Sequence, residues 1–527
     1  MIFRILCSLS LAAMQNLLPK SLLLLLSLCG YLPAESKKLS LQEAINSAVE
    51  HNLGIRIAAF ASANAMDSVQ IESAAFDAEF FGSFSSQARQ SAAANSALDS
   101  AQVPESDSRR ARLGVDKRFA TGTTATVKSS INRSDSNNNA VRNPDYGADV
   151  SLLIRQPLLK GAWKEVNLAP VARAKVNVER SLFELRSDVL DLLLETEIAY
   201  WNLAYARADS ALISSSLALA QNLLDENLER ERLGIITPLE VLQAEAEVLN
   251  RQENIIQAER VIEDAEDSLR RYMGQTDLLG EVAESIFVSN LPETIEALRP
   301  MEEVLNDSLL SDADAKAQER RIEIERINRV IAQDATRSDL DLTAGINYLG
   351  RDNDGQGAYR GAYNRDGYDW NVGLEVRMPW GFRESRARAR QASRNLEKAS
   401  LQLYDIKQEK ALAARSAWRS ARTGLKRIEV TRAAMKINEN AFQQEHARYG
   451  SGLVAYRSVL EAQRDFDLAK SKYLQSLIET LRAVVRLGRV DGTLLARNGF
   501  TWNTDKTHSK FITPQTEPLV KPLTELP

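Results

Sequence analysis

Across residues 163–232 apolar side chains return in a heptad frame. Leu182, Val189, Leu203, Leu217 and Leu224 share one position, and Leu185, Leu192, Ala199, Ala206, Ile213 and Ala220 follow three residues on. That period predicts one long helix with a coiled-coil seam. A second helix is expected beyond Gly234, where Thr237 serves as N-cap, Pro238 takes the first helical position and Glu240 closes a capping box. Val241, Val248, Ile255, Ile262 and Leu269 repeat along it, with Ala244, Ala258 and Ala265 at the small positions. The plan recurs as a long helix over 384–447 and a last one framed by Val459, Phe466, Tyr473 and Leu487, with Ala462, Ala469 and Ala483. Shorter helices are expected over 39–75, where Ser40 and Glu43 form a capping box, and over 301–337.

Between these helices the period changes to two, the signature of strands. Alternation runs through Leu113, Val115 and Phe119, through Ala125, Val127 and Ile131, and through Val150, Leu152 and Ile154; the second half has strands at 340–348 and 370–378. The stretches 91–108 and 133–146, and the Gly-, Asn- and Asp-rich segment between the last two strands, read as loops.

A short stretch occurs twice, as RLGIITPLEVLQAE at 232–245 and RYGSGLVAYRSVLEAQ at 448–463. Arg232, Gly234, Val241, Leu242 and Ala244 match Arg448, Gly450, Val459, Leu460 and Ala462 if the second copy holds a two-residue insertion. The chain then divides into a leader at 1–34, a first structural repeat at 35–299, a second at 300–497, and a polar tail at 498–527 expected to be disordered.

Composition adds compartment. Arg4 and Lys20 precede the apolar run from Leu22 to Leu28, and Leu32-Pro33-Ala34 offers a cleavage point. This run is too short to span a bilayer, which takes about 20 apolar residues. Met14 is an alternative start, and lipidation of Cys29 an alternative fate. Cys7 and Cys29 both lie in the leader, so cleavage after Ala34 leaves a mature chain without thiols. A net charge of −5 with no basic block gives no footprint for nucleic acid.

Secretion without a spanning helix leaves a soluble periplasmic protein or an outer-membrane barrel. Trp370, Val372, Leu374, Val376 and Met378 share one strand face, and Asn371, Gly373, Glu375 and Arg377 the other. Strands of about nine residues with one apolar and one polar face suit a barrel around a wet interior, and Tyr359, Tyr363, Tyr368, Trp370, Trp380 and Phe382 flank them as an aromatic girdle would. A half-exposed soluble sheet on a secreted coiled-coil structural or adaptor protein gives the same alternation. In lipid, so few strands need further copies to satisfy their edges, and a helix of about 65 residues would reach about 100 Å from them.

The opening LSLQEAINSAVEHN, the junction IRQPLLKG at 154–161 with its looser partner VRMPWGF at 376–382, and the two turn motifs together resemble the TolC-type outer-membrane efflux and secretion duct family. The resemblance covers roughly residues 39–490. It implies an α+β membrane protein: a homotrimer whose protomers each give four strands to a twelve-stranded transmembrane β-barrel, continued through the periplasm by a twelve-helix coiled-coil barrel. It also implies a periplasmic adaptor and an inner-membrane transporter as partners, and outer-membrane lipid around the barrel. Carried over by position, Leu233, Gly234, Ile235, Ile236, Thr237 and Pro238, with Tyr449, Gly450, Ser451, Gly452, Leu453 and Val454, would be the periplasmic tips on which the adaptor docks. Where the family often has DVLDA this chain has Ser458-Val459-Leu460-Glu461-Ala462, leaving Glu461 as the candidate constriction ring or an ordinary solvated helix charge. The chain departs from the family in showing about four alternating segments over 80–156 where two are implied.

His51, His446 and His508 stand in unrelated contexts, and no metal spacing, phosphate loop, nucleophile elbow or dinucleotide fingerprint is present. The residues point to a duct rather than an enzyme, with no cofactor.

Overall fold

The computed structural model describes residues 38–90, 105–137, 142–275, 285–292, 295 and 297–502. The leader with its two cysteines, His508 and most of the tail lie outside them.

The first helix begins as its capping box predicts: Ser40 Oγ accepts from the Glu43 amide at 3.2 Å, and Glu43 Oε2 accepts from the Ser40 amide at 2.9 Å. Instead of one helix over 39–75 there are two, α1 (Leu41–His51) and α2 (Leu53–Ala74). The break is Asn52, whose backbone is extended and whose side chain caps α2 by accepting from the Ile55 amide. The expected helix over 301–337 divides in the same way into α5 (Met301–Ser311) and α6 (Ala313–Asp334), with Asp312 accepting from the Ala315 amide at 2.8 Å. Short Asx side chains offer the backbone an alternative to continuing the helix, and each half uses one at the same place.

Four strands follow α2: β1 (Ala78–Gln90), β2 (Glu105–Arg118), β3 (Thr124–Ser136) and β4 (Asp145–Pro157). They take up the end of 91–108 and both ends of 133–146, stretches expected as loops. The long helices are α3 (Ala169–Arg232) and α4 (Pro238–Met273) in the first half. The second half has β5 (Asp339–Asp352), a short helix α7 (Gly355–Asn364), β6 (Gly367–Arg377), α8 (Arg383–Gly450) and α9 (Tyr456–Val490). All six strands form one antiparallel sheet in chain order, two more than the family resemblance implies. The additional connection, between β2 and β3, is a tight turn in which Gly122 has φ +82° and donates to Phe119 O at 2.9 Å. A side chain there would strike Gly161 O.

The registers sort the side chains onto two faces. Phe80, Val115, Val127, Leu152, Ile346 and Trp370 form one continuous row across the sheet, all on the apolar face. A neighbouring row on the other face reads Ser83, Arg112, Ser130, Asp149 and Leu349. Helix α7, which falls in a segment expected to be loop, lies on the apolar face. Ala358 and Ala362 pack on Ala148, and the approach is so close that a Cβ at Gly350 would lie 2.0 Å from Ala358 O. Tyr359 Oη sits 3.2 Å from Ser129 Oγ, pairing the polar residue of an otherwise apolar column. A ten-residue helix holding three glycines has little intrinsic propensity, and only packing reveals it.

The helices form a layer. In the half nearer the sheet the order is α2, α3, α6, α8; in the half nearer the turns between long helices it is α4, α3, α9, α8. The heptad frames face inward as expected: Leu185, Val189, Leu192, Ala199, Leu203, Ala206 and Ala220 are buried in α3. Around the middle a belt of α1, residues 285–292 and α5 packs on α3, α8 and α9. The tail does not begin at 498, because Asn498 is buried, Gln42 Nε2 donates to its carbonyl at 3.1 Å, and Phe500 and Trp502 pack on the core beside α1.

Candidate functional site

The two turns joining the long helices lie together at the end of the molecule farthest from the sheet, and they are built alike. At the first, Gly234 N donates to Glu231 O at 2.8 Å and Ile235 N to Arg230 O at 2.9 Å; at the second, Gly452 N donates to Tyr449 O at 2.9 Å and Leu453 N to Arg448 O at 2.9 Å. Each is a Schellman turn closed by a left-handed glycine, with φ +70° at Gly234 and +72° at Gly452. Gly234 therefore corresponds to Gly452, and Val241 and Val459 follow at equal distance. The two-residue insertion expected from matching Gly234 to Gly450 is absent. Two glycines near one another allowed either alignment, and only the backbone conformation chooses. The consequence is measurable: Gly452→Ala should destabilise the turn by about 1 kcal/mol, whereas Gly450→Ala, in right-handed helix with open space around it, should be neutral or slightly stabilising. Hydrogen exchange of the amides at 451–455 reads both; equal protection in the two variants would contradict the assignment.

Leu233, Ile235 and Leu453 are exposed apolar residues on these tips. Ile236 and Val454 are half-buried, and Gly234, Thr237, Pro238, Gly450, Ser451 and Gly452 are exposed. Glu240 Oε2 accepts from the Thr237 amide at 3.1 Å, as its box predicts. Tyr449 does not belong with them. It is buried at 3% exposure, its hydroxyl donates to Asn227 Oδ1 at 2.5 Å, and the Arg230 guanidinium lies 4.1 Å from its ring centre. It therefore ties α8 to α3. Glu461 is exposed and ion-paired to Arg457 Nε at 2.8 Å, one turn closer to the tip. An exposed i,i+4 pair contributes little stability, but it leaves each carboxylate balanced.

Just inside the tips lies a polar network absent from the sequence expectations. Glu247 of α4, 5% exposed, accepts from Arg251 Nε at 2.9 Å and from Arg464 Nη2 of α9 at 2.5 Å. Arg251 Nη1 also donates to Asp467 of α9 at 2.9 Å, and Asp467 accepts from Ser216 of α3 at 2.7 Å. Burial alone would raise the Glu247 carboxyl, but the hydrogen bonds and charges of Arg464 and Arg251 outweigh it and hold the group below its ordinary range. Burial, followed by the nearby Glu247 charge, pushes the Tyr456 hydroxyl up to about 12. The first helical hairpin (α3, α4) is thus clasped to the second (α8, α9). The signal in the sequence was slight: polar residues beside seam positions, which a solvated face also shows.

Two open edges complete the picture. Among the described residues β1 pairs only with β2, and β6 only with β5. On the same two sides the helices carry unpartnered apolar stripes. Leu53, Ile57, Phe60 and Ile71 line α2, and Leu242, Leu249 and Ile256 line α4, all on the β1 side; Leu401, Leu412, Val430 and Ile437 line α8 on the β6 side. Every one of these is between 60% and 71% exposed, and their spacings of 3, 4, 7, 11 and 18 keep each set on one helix face.

Among the described residues no helix is long and apolar enough to cross a membrane. The profile of the outer membrane efflux protein family matches residues 124–275 and 304–493, which hold both tips and strands β3 to β6. The chain is 25% identical over 344 residues to the outer membrane protein TolC of Escherichia coli, covering 63% of this chain and 68% of that protein. In fold it is similar to the CmeC outer membrane channel of Campylobacter jejuni, with a TM-score of 0.66, 17% identity and 89% of each chain covered. It is also similar to the outer membrane protein VceC of Vibrio cholerae, with a TM-score of 0.62, 17% identity, and 86% of this chain and 96% of that one covered. With both halves matched, the chain belongs to the outer membrane efflux protein family, whose channels sit in the outer membrane and extend into the periplasm.

Proposed function

We propose that three copies, the number the resemblance implies, close into a ring that forms the passive outer-membrane exit duct of a tripartite efflux or type I secretion system. An inner-membrane transporter supplies the cargo through a periplasmic adaptor that docks on the exposed tip residues, Leu233, Ile235 and Leu453 foremost. The observation that carries this reading is the coincidence of edges. Unpaired strands and unpartnered apolar stripes occupy the same two sides of the protomer, so a neighbouring copy satisfies both at once. The stripes also agree in height. Ile256 lies about 27 Å from the tip end of α4 and Val430 about 30 Å from that of α8, at 1.5 Å per residue. A soluble coiled-coil protein would leave the six-residue apolar row of the sheet in water, beyond what monomers expose.

In the ring, Glu461 would approach the axis three times. Because Arg457 balances it, the field there is weak, and Glu461→Gln should shift ion selectivity only slightly; a complete loss of cation preference would show that the pair opens in the assembly. The full chain, expressed with its leader, should fractionate with outer membranes, run as a heat-modifiable trimer and conduct ions in planar bilayers. A monomer soluble without detergent and silent in bilayers would sink the reading.

A further inference from the structure

We propose that the closed barrel has eighteen strands, six from each of three copies, with β1 of one copy paired to β6 of the next. This rests on the ring proposed above and sets the width of its mouth.

The hairpin that raises the count belongs to the wall. Phe80 and Phe84 of β1 and Leu113 of β2 point to the same face as Val127, Leu152, Ile346 and Trp370, so the apolar band crosses all six strands without interruption. The opposite face of the hairpin carries Glu79, Arg112 and Asp116, in register with Thr126 and Ser130 of β3. A flap outside the wall would have no use for one lipid-compatible and one water-compatible side. The direction of the edges also fits: β1 leaves the helices and β6 returns to them, so adjoining copies meet antiparallel, as a barrel with an even strand number requires.

The strand count sets the width of the mouth. Strands about 4.8 Å apart and tilted by about 40° each take about 6.3 Å of circumference. Six then cover about 38 Å of arc and four about 25 Å. Both halves of the helical layer are four helices wide, which at interaxial distances of about 9.5 Å is also about 38 Å. Eighteen strands thus give a backbone radius of about 18 Å, against about 12 Å for the twelve strands that the resemblance implies on a helical layer of the same width.

The test uses disulfide formation in the full chain expressed in cells, because both cysteines lie at 7 and 29 in the predicted leader. One series pairs Phe80→Cys or Phe84→Cys of β1 with cysteine at 370, 372, 374 or 376 of β6, a set wide enough to cover the unknown register. A second series pairs Val127→Cys or Ile131→Cys of β3 with the same four positions. Eighteen strands predict covalent trimers from the first series and none from the second. Links from β3 would mean that β1 and β2 lie outside a twelve-stranded wall, overturning the proposal while the ring stands. A trimer giving no β1 link at any position would also overturn it. Protein that is monomeric by light scattering before oxidation would instead remove the ring itself. As a second readout, Arg112→Cys should react with a membrane-impermeant sulfonated maleimide and Leu113→Cys only with a lipid-soluble one; equal reaction of both with the impermeant reagent contradicts a wall position.

Discussion

Val430→Asp combined with Ile437→Asp is expected to give a folded monomer that no longer assembles. Both side chains are 69% exposed in the protomer, so substituting them there should change its own stability by no more than about 0.5 kcal/mol. In the proposed ring they meet the stripe of Leu242, Leu249 and Ile256 on the neighbouring α4. Full burial of each such side chain stabilises by about 1.5–3 kcal/mol, and a carboxylate buried without a partner costs several kcal/mol more. With two aspartates at each of three interfaces, a loss of well over 10 kcal/mol of assembly energy is expected even after generous discounting. Light scattering of the detergent-purified protein, beside its melting curve, decides the matter. A variant that melts normally and remains trimeric would show that the α8 stripe is not the interface.

Glu247→Ala carries the second large effect, in the same half of the molecule but nearer the tips. The substitution removes one member of a buried ionic group and leaves Arg251 and Arg464 without it, a change that typically costs about 3–5 kcal/mol. Because Arg464 is on α9 and Glu247 on α4, the lost contact is the one that holds the two hairpins together near the tips. The expected result is a wider tip: higher single-channel conductance with assembly retained. Glu247→Gln keeps the hydrogen-bonding shape and should fall between the two. Acid should mimic the substitution. The folded-state carboxyl lies below its ordinary value of 4.5, so its stabilisation is complete at neutral pH and disappears as pH falls below that value. Conductance that rises only under such acid conditions, and no longer rises in Glu247→Ala, is the expected signature. An Ala variant with unchanged conductance would show that this clasp does not limit passage.

Much of the architecture was legible because it is written in local periods. The heptads of α3, α4 and α9 forecast which side chains are buried, from Leu185 and Leu192 to Val459 and Leu487, and the capping boxes at Ser40 and Thr237 forecast where helices begin. Alternation also showed about four segments over 80–156, more than the resemblance implied, and the structure resolves them into four strands. The candidate site was less legible. Gly450 and Gly452 are equivalent as letters, and only a left-handed backbone makes one of them the partner of Gly234. Tyr449 reads as a loop residue until its ring is seen beneath Arg230. Helix α7 has too little propensity to announce itself, since packing of Ala358 and Ala362 against Ala148 holds it.

By itself, then, the sequence determined the elements: long helices with seams, two-faced strands, a duplicated hairpin, and the caps and breaks between them. Each of these depends on residues within a few turns of one another, where spacing alone fixes which side chains share a face. The tertiary structure decided what lies far apart in the chain but close in space: six strands in one register, Glu247 beside Arg464, and an unpaired strand edge on the same side as an unpartnered helical stripe. Contacts between residues hundreds of positions apart leave no period to read, because burial there is set by the neighbouring helix or strand and not by the chain's own repeat.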